Sequence, residues 1–176
     1  KMNILNKHFS SPLLFTICVF PMLLNAQAKR KANKDTQAWR YEIEGVSQGT
    51  QGTYLVKVWS YSKKPKVAIE QSKKNAVHGI IFRGYEGNKK GVQNQRPLTR
   101  NSNLEQEKEA FFKDFFATGG KYMKFVSLTN DGAVGAGDRI KVGKEYKIGL
   151  VISVRKDALR KDLEQAGIIK GLNSGF

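Results

Sequence analysis

Catalysis needs groups that move protons, hold metals or attack carbonyls, and this chain offers few of them. Its 176 residues contain two histidines, His8 and His78, and one cysteine, Cys18. A zinc site draws three or four ligands from His, Cys and carboxylates. No His-x-x-x-His, Glu-x-x-His or paired-cysteine spacing is present. There is no Gly-x-Ser-x-Gly elbow, Ser153 lies inside an apolar run, and a serine nucleophile would have only His78 as its base. Gly132-Ala-Val-Gly-Ala-Gly137 lacks the Gly-Lys-Ser/Thr of a phosphate loop and precedes a strand pattern, so no helix N-terminus faces it. We expect no metal, no cofactor and no nucleotide. Paired carboxylates remain, because two acids suffice to cleave a glycosidic bond. Asp131 and Asp138, which flank that glycine loop, are the pair a small carboxylate-dependent hydrolase would use.

Cations, by contrast, are in excess. The chain has 31 Lys and Arg against 15 Asp and Glu. Such a balance favours polyanions such as lipopolysaccharide, acidic glycan or extracellular nucleic acid, or it serves solubility alone. The lysines are spread in pairs (Lys63-Lys64, Lys73-Lys74, Lys89-Lys90), with no long block. The densest group is Arg83, Lys89, Lys90, Arg96 and Arg100, in and beside a segment whose one acid is Glu86. These five are the candidate binding residues for an anionic partner, the arginines adding bidentate hydrogen bonds to charge. The alternative is a solvated loop.

The first 28 residues read as a secretory signal peptide. Lys1, Lys7 and His8 precede a thirteen-residue apolar run, Pro12 to Leu24, and Ala26-Gln27-Ala28 supplies a small-x-small cleavage site. The run is shorter than the roughly 20 residues a membrane-spanning helix needs. Ile17 is too large to precede an acylated cysteine, so a lipoprotein leader does not fit. Removing residues 1–28 takes away two of the 31 cations, none of the 15 acids and the sole cysteine, leaving 148 residues of net charge +14. The expected destination is the periplasm, the outer membrane or the exterior. The mature chain then has no thiol chemistry, no transmembrane segment and one histidine.

Residues 29–38 form a polar basic lead-in, and one domain follows over 39–176, long enough for a real core. Residues 39–45 and 53–61 alternate apolar and polar side chains, the mark of two half-buried strands in a hairpin. Lys64-Pro65 opens a helix with Ala68, Ile69, Ser72, Ala76 and Val77 inward and Glu70, Gln71, Lys73 and Lys74 outward. Residues 79–83 read as a short buried strand, and 86–103 as a loop of eighteen residues. A second helix spans 104–117, capped by Asn103 and carrying Phe111, Phe112, Phe115 and Phe116 on one face. Residues 122–128, 139–142 and 145–154 are strands, and 157–166 is a closing helix that Gly167 ends. Trp39, Trp59, Tyr61 and Tyr85 belong either to the core or to an exposed aromatic surface. This order gives an α+β fold: two layers, a mostly antiparallel sheet with two or three helices on one face.

Val67-Ala-Ile-Glu-Gln-Ser-Lys-Lys-Asn-Ala-Val77, with small residues at 68, 72 and 76 after a strand, resembles part of a known domain group. The ending, Tyr146 to Val154 followed by Asp157, Leu159, Leu163 and Gly167, is similar to the same group. It is the N-terminal domain of flagellar assembly protein T with the related small bacterial lipoprotein domains. The hairpin, the basic loop and the Phe-rich helix depart from it. The resemblance implies an exported, non-catalytic part of an envelope assembly. The expected partner is an envelope protein or an anionic envelope polymer.

Overall fold

Alternation in the sequence becomes a sheet whose two faces differ. The computed structural model describes residues 39–87 and 92–171. The leader 1–28, the lead-in 29–38 and the loop residues Lys89 and Lys90 lie outside them. Strands β1 (Tyr41–Gln48) and β2 (Tyr54–Ser62) form the expected antiparallel hairpin, Tyr41 opposite Ser60, with a bulge between Gly45 and Ser47. Helix α1 (Pro65–His78) follows, then the short helices α2 (Leu104–Glu107) and α3 (Glu109–Phe115). Strands β3 (Val126–Leu128), β4 (Arg139–Val142) and β5 (Glu145–Val154) precede α4 (Lys156–Gln165).

Strand β5 is the spine. It pairs with all nine residues of β2 on one edge. On its other edge it pairs with β4 near its start and β3 near its end. Every pairing between strands is antiparallel, and the order runs β1-β2-β5 and then β3 and β4. Val56, Val58, Ile148, Leu150, Ile152 and Val154 are buried on one face, beneath α1 and the Phe-rich segment. Burial of such a side chain contributes about 1.5–3 kcal/mol, so this layer holds the helices on the sheet. Among the described residues, no helix is long and apolar enough to cross a membrane.

Several local expectations are overturned. Gly79–Arg83 is a π-helical turn that extends α1, not a strand. A short apolar run does not reveal its period, and here Leu98 and Thr99 donate their backbone N–H to Ile80 and Ile81 carbonyls. Gly84, at φ 69°, ends the turn with a Cβ position only 2.1 Å from the Gln95 carbonyl oxygen, so no other residue fits. The expected helix 104–117 is broken at Lys108 (φ −118°, ψ 33°) into α2 and α3. Asn103 makes no side-chain cap; its backbone carbonyl receives Gln106 and Glu107 instead. Only Val126–Leu128 of 122–128 is strand, because Lys121–Phe125 winds as a 3-10 turn that buries Tyr122 and Phe125. Gln71 and Lys74, expected on the outer face of α1, are buried. Gly167 does end α4, at φ 66°.

Candidate functional site

The described cations in and beside the basic loop differ in role. Arg83 donates from Nη2 to the Trp39 carbonyl at 2.9 Å, and its guanidinium lies 4.3 Å over the Tyr41 ring. Its role is to tie the chain entry to α1. Gln95 exchanges two backbone hydrogen bonds with Tyr85, and Tyr54 donates its hydroxyl to Gln95 Oε1. The stretch 95–99 is therefore held against the core, with Arg96 and Arg100 exposed on either side of buried Leu98 and Thr99.

His78, 3 % exposed, is fully engaged. Tyr41 OH donates to Nδ1 at 2.7 Å, and Nε2 donates to Glu105 Oε2 at 3.2 Å. Trp39 stacks on the imidazole at 3.7 Å and donates its indole N–H to Glu105 Oε1 at 2.7 Å. Burial pushes the imidazole pKa down despite the carboxylate, which keeps it the neutral Nε2–H tautomer. Burial raises the pKa of Tyr41 far above its ordinary value. Burial would also raise Glu105, but hydrogen bonds from His78 and Trp39 and the Arg83 charge outweigh it and hold its pKa low. With both ring nitrogens committed and the phenol locked, this cluster joins β1, α1 and α2 as a clasp. Phe116, just after α3, completes it by packing edge-on to Trp39.

The face of the sheet away from the helices is a different surface. Strand alternation places Arg40, Glu42 and Glu44, Lys57, Trp59 and Tyr61, and Lys147, Gly149 and Val151 there together. Cations and rings interleave: Arg40 lies 4.5 Å over Tyr61, Lys147 5.6 Å from Tyr61 and 5.0 Å from Trp59, and Lys57 4.7 Å from Trp59. The Trp59 indole rests on Gly149, where a Cβ would come within 2.8 Å of the ring. Acids close the pattern. Glu42 takes Lys147 at 2.7 Å and the Tyr61 hydroxyl, Asp138 takes Lys57 at 2.5 Å, and Glu145 takes Arg40 at 2.8 Å. The Lys147 and Tyr61 hydrogen bonds hold Glu42 below the usual carboxylate range. Half-exposed Trp59 and Tyr61 are thus fixed in place on a polar, charge-balanced plane. Period-two alternation marks Lys57, Trp59 and Tyr61 in the sequence, but only the strand register brings Arg40 and Lys147 beside them.

Asp131 and Asp138 do not share a cleft. Asp138 is paired with Lys57 on the open face. Asp131 is exposed and lines a shallow groove of about 330 Å³ with Lys73, Met123, Val126, Ser127 and Leu128, beside α1. Among the described residues no three His, Cys, Asp or Glu side chains gather as metal ligands. No family model, curated protein or solved structure matches this chain.

Proposed function

We propose that this protein is an exported, non-catalytic binding or assembly module of the bacterial envelope, and that its open sheet face is the contact surface. The observation that carries the reading is the ladder of Arg40, Tyr61, Lys147, Trp59 and Lys57 on the face the helices leave uncovered. Pre-set aromatic side chains supply large contact area at low entropic cost, and such residues dominate interface energetics. The leader-like residues 1–28 and the likeness to the flagellar assembly protein T group support the compartment and the non-catalytic role. The carboxylate-hydrolase reading lapses because Asp131 and Asp138 occupy different surfaces.

The test is retention of the chain on isolated bacterial envelopes. Trp59→Ala combined with Tyr61→Ala removes half-exposed rings and leaves the core intact. Retention is expected to fall roughly tenfold, with an unchanged circular dichroism spectrum. Retention equal to that of the parent chain would overturn the proposal. A second reading, polyanion capture by charge, is favoured by exposed Arg96 and Arg100, which have no acid within salt-bridge range among the described residues.

A further inference from the structure

Strand β4 stands out from the rest of the sheet. It pairs only with β5 among the described residues, and all four of its side chains are exposed. Ile140 and Val142, at 44 % and 45 % exposure, are large apolar groups left in water. They lie on the open face, opposite Lys147 and Glu145. Arg139 and Lys141 project to the other side, and Lys144 follows the turn. Arg139 lies over the Tyr146 ring at 5.0 Å. None of these three cations has an acid in salt-bridge range among the described residues, and nearby Glu145 is taken by Arg40. The edge thus alternates cation and β-branched residue on a strand whose outer N–H and C=O groups have no neighbouring strand among the described residues.

The geometry points to β4 as a docking strand for an extended acidic segment of an envelope partner, added antiparallel or parallel to its outer edge. This rests on the binding-module reading above and names the kind of partner. In β-augmentation the main chain supplies hydrogen bonds and the alternating side chains supply selectivity. The segment that fits alternates carboxylates, which meet Arg139 and Lys141, with apolar residues, which cover Ile140 and Val142. Cross-strand opposite charges stabilise such a pairing, and like charges directly opposite destabilise it. That rule disfavours a second copy, which would set Arg139 and Lys141 against their own kind. It also disfavours the chain's own residues 29–38, which carry Lys29, Arg30, Lys31 and Lys34 against one acid, Asp35.

The experiment uses the whole chain and a labelled eight-residue peptide alternating Glu and Val, with a block peptide of four Glu and four Val as control. The alternating peptide is expected to bind at least tenfold tighter than the block peptide. Backbone amide shifts should concentrate on 139–142. Arg139→Glu with Lys141→Glu should weaken binding at least tenfold, and because both side chains are exposed the fold is kept. Shift mapping on the parent chain gives a readout that needs no variant. Equal binding of the two peptides, shifts centred on Arg96 and Arg100, or concentration-dependent dimers in sedimentation would each overturn the inference. Loss of the β4 effect with Trp59-dependent envelope retention intact sinks only the docking strand. Loss of that retention with peptide binding intact sinks the open-face reading instead.

Discussion

Lys74 shows how much one residue of a basic protein can cost. Its side chain is buried on α1 at 4 % exposure, with the ammonium 5.8 Å over the Tyr122 ring. Burial lowers its pKa to about 8, Glu70 pulling weakly the other way. An amine whose folded pKa lies below its unfolded value of 10.5 is bound to a proton in the unfolded chain and not in the native one between those limits. Stability therefore rises as pH climbs from about 8 towards 10.5, and below 8 the native state carries the full cost of the buried charge. A shift from 10.5 to about 8 corresponds to roughly 3 kcal/mol. Tyr85 and Tyr122, held up to about 12 by burial, reverse the trend above pH 10, where the unfolded phenols ionise first. Lys74→Met should flatten the rise in stability between pH 8 and 10. Urea melts at pH 7, 8 and 10 measure it, and a variant whose stability still climbs through that window would refute the assignment.

At the level of elements, glycine decides where a ring can lie. Gly149 sits in the middle of β5, and the Trp59 indole covers it closely enough to exclude a methyl group. Gly149→Ala should push the indole off the sheet and cost about 1–3 kcal/mol, as overpacking does, with a shift in tryptophan emission. An unchanged denaturation midpoint and emission would show that the ring is not held there. The same elements show what the sequence made readable. The hairpin β1–β2, the proline-opened start of α1 and the strands β4 and β5 follow from alternation, proline and turn chemistry, all local signals. The segment 79–83 did not, because a five-residue apolar run fits a buried strand and a helical turn equally until Leu98 and Thr99 supply hydrogen bonds from far along the chain. Likewise Lys108 breaks the expected helix although Lys is itself a good helix former, and only its dihedral angles mark the break. The binding candidates divided in the same way. Arg83 looked like a free cation, yet its partners, the Trp39 carbonyl and the Tyr41 ring, lie more than forty positions earlier.

Over the whole molecule, the helices shield one face of the sheet while the open face keeps its charges balanced within itself. Among the described residues, cations off that face sit on the β4 edge, at Lys63, Lys64 and Lys66 near the start of α1, and at Arg96 and Arg100. Two mechanisms of envelope retention predict different responses to salt. A polyanion binder that neutralises six to ten phosphates loses about 10³–10⁵ in affinity between 50 and 200 mM salt, because each contact releases a counterion. A surface built on Trp59 and Tyr61, whose neighbouring cations are already paired with Glu42, Asp138 and Glu145, releases few. Retention of the chain on envelopes is therefore expected to fall less than about tenfold over that range. A loss of a thousandfold or more would transfer the function from the sheet face to the scattered cations, and replacing Arg96 and Arg100 by Glu would then reduce retention where Trp59→Ala would not.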